Sequence, residues 1–91
     1  MSVVVISVAP GVGAEQDAAM LAALNLEGNP PAGGHLRIAG PTDAGWRIIS
    51  LWDSQEDFDA FVRDRLAPVF ERVGRPVPEF EVTPVESIVT L

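Results

Sequence analysis

Ninety-one residues, 47% of them hydrophobic, with a net charge of −7, indicate one small acidic domain. A chain of this length buries only about 60 to 68% of the surface that its unfolded form exposes. The negative charge repels phosphate backbones and anionic lipids, so neither nucleic acid nor a membrane is an expected partner. The chain has no Cys, Tyr or Lys, which excludes catalysis through a thiolate, a phenol or a Schiff base.

The apolar run from Val3 to Ala9 is too short to cross a bilayer, and no Lys or Arg precedes it. We interpret it as a strand rather than an export signal, which makes the cytoplasm the expected compartment. The mean hydropathy of +0.23 is high for so small a domain. Because no disulfide can hold the fold together, the surplus apolar surface favours a homodimer.

The first third of the chain predicts a strand followed by a helix. The segment Val3–Val8 is apolar at almost every position, so both faces of this strand are expected to be covered. From Ala14 a run of strong helix formers predicts a helix that ends near Leu26, with Gly28 as its stop. Its periodicity places three apolar side chains on one side, namely Ala18, Leu21 and Ala22.

Two further strands, from 35 to 39 and from 46 to 52, predict a hairpin around the sequence GPTDAG. A four-residue loop would set the register of this hairpin. It would pair Ala39 with Trp46, Arg37 with Ile48 and His35 with Ser50. One face of the hairpin then carries the polar and aromatic candidates together: His35, Arg37, Trp46, Ser50 and Trp52. A slip of one residue would move His35 and Arg37 to the opposite face.

The segment after Trp52 predicts a capped amphipathic helix. Asp53 and Ser54 offer side-chain oxygens to a helix start. An apolar stripe then recurs at steps of three and four residues through Phe58, Phe61, Val62, Leu66, Val69, Phe70 and Val73. Pro68 lies inside this pattern, so we expect a kink or break near Ala67. The last strand is predicted to begin with residues 79 to 82, and Pro84 places its end at an edge or a bulge.

The order of these elements is β-α-β-β-α-β, which predicts a single ferredoxin-like α+β domain over residues 1–91. We expect a four-stranded antiparallel sheet with both helices on one face. The other face of the sheet is also apolar and would remain exposed in a monomer. A second sheet, supplied by another copy of the chain, is therefore expected to cover it.

The segment from Leu51 to Phe58, LWDSQEDF, resembles a motif of the antibiotic biosynthesis monooxygenase-like proteins in the dimeric α+β barrel superfamily. It looks like that family's third strand, which ends in a tryptophan and runs into an acidic helix start and a buried aromatic residue. The resemblance implies a homodimer whose sheets face each other. It also implies a pocket between each sheet and its own helices. Relatives use this pocket for cofactor-free oxidation of aromatic polyketides, for cyclisation or for haem breakdown, and in some relatives it has no assigned function.

Histidine is the side-chain type that changes its charge near neutral pH, and His35 is the only one in the chain. It is a candidate base for an acidic phenol or an enolisable carbonyl, with Arg37 stabilising the anion that forms. The alternative is a histidine at the sheet edge, bonded to a backbone carbonyl, beside a solvated or paired arginine. The candidate substrate-binding residues are Trp46, Ser50, Trp52, Phe58 and Phe61. Trp52 fits a purely structural core position equally well.

Three cofactor signatures fail in this sequence. The pair of glycines at Gly11 and Gly13 lacks the third glycine of a dinucleotide fingerprint, because Gln16 stands in its place. The acidic group from Asp53 to Asp59 lacks the spaced ligand loop of a calcium site. The second helix has no histidine, whereas relatives that degrade haem carry their axial histidine there. We therefore predict no cofactor and no metal.

Two functions remain open at this point. The first is a small cofactor-independent enzyme, monooxygenase-like or cyclase-like, that acts on an aromatic or polyketide-like molecule. The second is a non-catalytic homodimer that binds a hydrophobic small molecule or serves as an accessory protein. The two are distinguished by whether His35 and Arg37 point into an enclosed pocket or toward solvent.

Overall fold

A four-stranded sheet carries all the helices on one of its faces. The computed structural model describes residues 1–91. In chain order the elements are β1 (Val3–Ala9), α1 (Ala14–Leu24), β2 (Gly34–Thr42), β3 (Gly45–Trp52), α2 (Gln55–Phe61), a π-helical turn (Val62–Leu66), α3 (Ala67–Val73) and β4 (Glu81–Pro84). The strands lie in the order β2-β3-β1-β4, and every neighbouring pair is antiparallel. The predicted ferredoxin-like α+β arrangement is confirmed.

The central strand β1 defines the two sides of the sheet. Val3, Val5 and Ser7 are buried beneath the helices, whereas the residues between them are only partly buried. We call the helix-covered side the inner face and the opposite side the outer face. Side chains alternate along a strand, and Trp52 pairs with Val3, so Trp52 also lies on the inner face.

The end of α1 comes earlier than the sequence predicts. Asn25 adopts a left-handed conformation with φ of 51° and caps the helix after Leu24, so the predicted end near Leu26 is wrong. Arg65 donates a hydrogen bond to the Leu24 carbonyl at 2.7 Å. The C-terminus of α1 is thereby joined to the π-helical turn of the other helical segment.

The side of α1 that faces the sheet also differs from the prediction. The buried residues of this helix are Asp17 and Leu24, whereas Ala18 and Ala22 are exposed. Hydrophobic periodicity excludes a charged residue from a buried stripe. The buried side of α1 nevertheless includes an aspartate, because an arginine on β2 neutralises it.

The hairpin between β2 and β3 is tighter than predicted. Thr42 pairs with Gly45, which leaves two residues in the turn instead of four. The register therefore shifts by two positions, and Arg37 lies opposite Ser50 rather than Ile48. A shift of two residues keeps every side chain on its original face. Arg37 consequently shares the inner face with Ser50, as the sequence-based grouping requires.

A β-bulge interrupts the start of β2. It separates Gly34 from Leu36, and His35 is the extra residue between them. His35 has no partner on β3, so the predicted pairing with Ser50 is wrong. Bulges of this kind redirect one side chain and are frequent beside functional sites.

The second helical segment runs without a break through α2, the π-helical turn and α3. Ser54 caps it by accepting a hydrogen bond from the Asp57 amide at 3.1 Å, as predicted. In the π-helical turn the Ala67 amide donates to the Val62 carbonyl, five residues back. Pro68 follows this widened turn directly, in the first turn of α3. The predicted break is thus a widened turn.

The edge strand β4 begins two residues later than predicted and pairs with β1. Phe80, just before it, packs into the core against Phe58. Pro84 ends this strand, in agreement with the edge position that the sequence predicts. No helix of the protein is long and apolar enough to span a bilayer.

Candidate active site

A cavity of about 240 Å³ lies between the inner face of the sheet and the helices. Twenty residues line it and twelve of them are hydrophobic, so the interior is mainly apolar. Six of the seven predicted site residues contribute to the lining: His35, Arg37, Ser50, Trp52, Phe58 and Phe61. An apolar cavity with a few polar groups suits a small hydrophobic ligand.

Aromatic rings form one wall of this cavity. Trp52 is buried, and its ring centroid lies 5.4 Å from that of Phe58 and 5.1 Å from that of Phe61. Phe58 meets Phe80 edge to face at 5.0 Å. Such pairs contribute about 0.5 to 1.5 kcal/mol beyond the burial of their area. Trp52 therefore serves the hydrophobic core and the cavity lining together, and the two sequence-based interpretations of it are compatible.

Ser50 fixes the orientation of this tryptophan. The Trp52 Nε1–H donates a hydrogen bond to Ser50 Oγ at 2.8 Å. The indole nitrogen, which would otherwise be unpaired in an apolar environment, is thereby satisfied. Ser50 is also a small side chain on the floor of the cavity, and this leaves room for a ligand.

Trp46 does not line the cavity, although it shares the inner face. It lies at the other end of β3, opposite Ala9 of β1. It is six positions from Trp52 along the strand, which corresponds to about 20 Å. Its indole nitrogen is buried without a hydrogen-bond partner. The alternation of side chains along a strand predicts which face a residue lies on, but not how far it lies from a pocket. The sequence therefore predicts both tryptophans at one site, whereas only Trp52 lines the cavity.

The β-bulge places His35 at the mouth of the cavity. Its Nε2 lies 2.5 Å from Oδ1 of Asp53, the residue that follows β3. The two side chains are 52% and 59% exposed, so this pair stands at the entrance and not in the interior. An ionised carboxylate can only accept a hydrogen bond, so in a neutral imidazole this contact places the proton on Nε2 and the lone pair on Nδ1.

A short loop before β2 ties this entrance to the start of α2. The Asp53 amide donates to the Gly33 carbonyl at 2.8 Å. The Asp57 carboxylate lies directly over Gly33, where a Cβ atom would collide with it. Gly33 also has φ of 79°, a left-handed conformation that favours glycine. The backbone next to the His35–Asp53 pair is therefore held from both sides.

Arg37 reaches from β2 to α1 and forms a bidentate ion pair with Asp17. Its Nη2 donates to Oδ1 at 2.5 Å, and its Nη1 donates to Oδ2 at 3.1 Å. The side chains of Arg37 and Asp17 are only 22% and 10% exposed. Both terminal nitrogens of the guanidinium are thus engaged by the protein itself. The role of Arg37 as the partner of a substrate anion stays a prediction.

Sequence reasoning missed the two carboxylates that hold these cations. The sequence does not predict Asp53 as a partner of His35, because a bulge that turns His35 toward it has no clear sequence signal. Asp17 did have a signal: it is separated by three and seven residues from Met20 and Leu24, the spacing of one helix side. If Asp17 is counted as a member of the helix side that carries Met20 and Leu24, the sequence indicates a buried carboxylate that needs a cationic partner.

The charged groups elsewhere do not form a second site. No three His, Asp or Glu side chains converge as ligands of a metal ion. On the exposed surface of the π-helical turn, Arg63 donates two hydrogen bonds to Asp64. This contact lowers the pKa of the Asp64 carboxyl and raises the pKa of the Arg63 guanidinium. The pair stands apart from the residues that line the cavity.

Comparisons with known proteins identify the fold. No family model and no curated protein matches the sequence. The structure of Rv0793 from Mycobacterium tuberculosis matches with a TM-score of 0.64 and 14% identity, over 98% of this chain and 97% of that one. A protein of Chloroflexus aurantiacus J-10-fl, described as a candidate antibiotic biosynthesis monooxygenase, matches with a TM-score of 0.59 and 21% identity, over 98% of both chains.

Identities this low establish the fold and not the activity. Both matches extend over nearly the full length of the chains, so the likeness covers the sheet and the helices. The chain shares its ferredoxin-like α+β fold with both proteins, which is the fold that the resemblance of the motif from Leu51 to Phe58 implies.

Proposed function

We propose that the protein is a cofactor-independent enzyme that removes a proton from a flat aromatic or polyketide-like molecule bound in the cavity. The observation that carries this proposal is the His35–Asp53 pair at the mouth of an apolar cavity. A carboxylate that orients an imidazole is an arrangement typical of a general base. One protein of the same fold is described as a candidate antibiotic biosynthesis monooxygenase, and this description favours an enzyme over a binding protein.

The proposed mechanism starts with a ligand ring packed against the wall formed by Trp52, Phe58 and Phe61. An acidic C–H or O–H of the ligand gives its proton to Nδ1 of His35, and Asp53 stabilises the imidazolium that forms. The electron pair left on the ligand then makes the next bond. In cyclisation it attacks a carbonyl carbon of the same molecule, and the resulting alkoxide takes the proton back. In oxygenation the carbanion of a methylene reacts with dioxygen, which leaves one oxygen as a carbonyl and releases the other as water.

The exchange of α-protons in 2-tetralone, an enolisable bicyclic ketone, tests the first step. We expect the wild-type protein to accelerate deuterium incorporation, followed by NMR in D₂O. His35→Ala should lower that acceleration by about 10²- to 10⁴-fold, the usual contribution of a general base. Asp53→Asn should lower it less and change its pH profile, because the tautomer of the imidazole is no longer fixed.

The surface variant Asp64→Asn is the control for this experiment, since its side chain does not line the cavity. It should exchange the ketone at the wild-type rate. Circular dichroism of each variant checks that it is folded. Exchange by His35→Ala at the wild-type rate would show that His35 is not the base.

A non-catalytic small-molecule-binding protein is the second candidate. The observation that favours it is the half-exposed side chain of His35, 52% accessible at the entrance, which leaves the deeper cavity without a free titratable group. This candidate predicts that 2-tetralone binds and perturbs the Trp52 indole signal, while its α-protons exchange no faster than in buffer.

A further inference from the structure

Each basic side chain that lines the cavity is paired with a carboxylate that lies outside the lining. His35 and Arg37 are the only lining residues with an ionisable side chain. Each is held by a carboxylate that does not itself line the cavity: Asp53 holds His35, and Asp17 holds Arg37. The cavity therefore presents no unpaired positive charge to a ligand.

The inner pair determines what the deep part of the cavity can bind. Asp17 engages both terminal nitrogens of Arg37, and both side chains are largely buried. Burial weakens the screening of charges by water, so a third charge beside this pair interacts with it strongly. An anion next to Arg37 would be attracted by the guanidinium and repelled by the carboxylate. It would also lose its hydration without gaining an unpaired partner.

The electrostatic field of the whole protein also disfavours anionic ligands. The chain carries a net charge of −7. Two carboxylates, Asp53 and Asp57, stand at the loop that frames the entrance. Such a field lowers the local concentration of anions and slows their entry.

We infer that the cavity selects neutral, flat, hydrophobic ligands and discriminates against anions, and that Asp17 sets this selectivity by neutralising Arg37. The inference rests on the proposed function only in requiring that the cavity binds a small molecule. Asp17 is a specificity-determining residue that acts through Arg37 without touching the ligand. The sequence-based expectation that Arg37 receives an anion makes the opposite prediction.

A pair of isosteric probes separates the two expectations. 2-Naphthamide and 2-naphthoate have nearly the same shape, and at pH 7 only the second is charged. Calorimetry should give a dissociation constant for the amide at least tenfold below that for the carboxylate. In NMR spectra the amide should shift the indole N–H signal of Trp52, which lines the cavity, more than that of Trp46, which does not. The Trp46→Phe variant assigns the two signals.

Two variants test the role of Asp17. In Asp17→Asn the guanidinium of Arg37 is no longer neutralised, and the ratio of the two affinities should move toward the carboxylate by at least tenfold. In the double variant that adds Arg37→Gln, the preference for the amide should return. Asp64→Asn is the matched control, because it makes the same change in net charge and releases a surface arginine, Arg63, away from the cavity.

The outcomes are distinguishable. If neither probe binds the wild-type protein, the proposed small-molecule function is overturned together with the inference. If both bind the wild-type protein with equal affinity, the function stands and the neutral selectivity is overturned. If the amide is preferred and Asp17→Asn, shown to be folded, keeps that preference, Asp17 is not its origin. The measurement on the wild-type protein decides the selectivity even where the variant fails to fold.

Discussion

The two faces of the sheet are both apolar, yet their surroundings are opposite. On the inner face Val3 and Val5 are 7% and 3% exposed. On the outer face Ile38 is 54% exposed and Val8 is 39% exposed, and no helix of the chain packs over them. Strands with apolar residues on both sides are typical of sheets that are covered on both sides. Packing within one chain therefore accounts for the inner face alone.

The largest expected effect comes from breaking the inner face. Phe58 is 5% exposed and packs against both Trp52 and Phe80. Phe58→Ala should lower the free energy of unfolding by about 3 to 5 kcal/mol, because it removes buried area and leaves a cavity. This is a large part of a typical stability of about 5 to 15 kcal/mol. Chemical denaturation followed by tryptophan fluorescence measures it.

Val73 supplies the control for that measurement. It belongs to the same apolar stripe in the sequence, but it is 51% exposed at the end of α3. Val73→Ala should change the free energy of unfolding by no more than about 0.5 kcal/mol, as is usual for surface positions. Equal losses in the two variants would show that the stripe does not pack on the inner face as described.

A second prediction concerns the dimerisation of the chain through its outer face. We propose that a second copy of the chain covers it, joining the two sheets over a total area of about 1,200 Å² or more. Ile38 lies in a row of outer-face residues with Ile49 and Ile6. Placing a charge in that row, as in Ile38→Glu, should weaken dimerisation by at least about 2 kcal/mol, the effect of a central interface residue.

Light scattering over a range of concentrations checks this proposal. The wild-type protein should have twice the chain mass of 9.7 kDa at micromolar concentration, and the variant should have the mass of one chain. The control substitution Gln55→Glu adds the same negative charge on the exposed side of α2, and it should leave the dimer intact. A wild-type protein that stays monomeric at micromolar concentration would contradict a covered outer face.

Two glycines test whether the backbone is more constrained beside the entrance of the cavity than along β2. Gly33 lies in the loop before β2, and Gly40 lies on the strand itself. Gly33 has a positive φ and the Asp57 carboxylate above it, whereas Gly40 has open space around its Cβ position. Gly33→Ala should destabilise the protein by about 1 to 2 kcal/mol through its left-handed conformation alone. Gly40→Ala should be neutral or slightly stabilising. Melting temperatures of the two variants measure the difference, and similar values would show that the loop is not held as described.

Much of the fold followed from local sequence signals. The helix cap at Ser54, the edge position of β4 and the order of the elements depend on residue types that act on their neighbours, so they could be predicted. The face of Arg37, Ser50 and Trp52 was also predicted correctly, although the hairpin loop was two residues too long. An even-numbered error in register cancels on a pleated strand.

The candidate site was less predictable because its polar contacts are not local. The partner of His35 is 18 residues away, and the partner of Arg37 is 20 residues away. Each contact depends on a feature that periodicity does not report, a bulge in one case and a buried charge in the other. The left-handed Asn25, which ends α1 early, is a third example, since Gly28 was the stronger stop signal by composition.

The smallest expected effect concerns the exposed pair of Arg63 and Asp64, compared with the buried pair at Asp17. The hydrogen bond from Arg63 lowers the pKa of Asp64. Its contribution to stability is therefore present above the pKa of an unfolded aspartate and is lost as the pH falls through the lowered folded value. The two side chains are 71% and 59% exposed, so water and salt screen their attraction.

Asp64→Asn should leave the melting temperature at pH 7 unchanged within error. Asp17→Asn should lower the free energy of unfolding by about 1 to 3 kcal/mol, because it leaves a charged partner without its full set of hydrogen bonds. Calorimetry at pH 7 and pH 3 compares the two variants with the wild-type protein. At pH 3 any difference between Asp64→Asn and the wild type should shrink further, since a more protonated Asp64 contributes less. A loss at Asp64 equal to that at Asp17 would show that burial does not distinguish the two pairs.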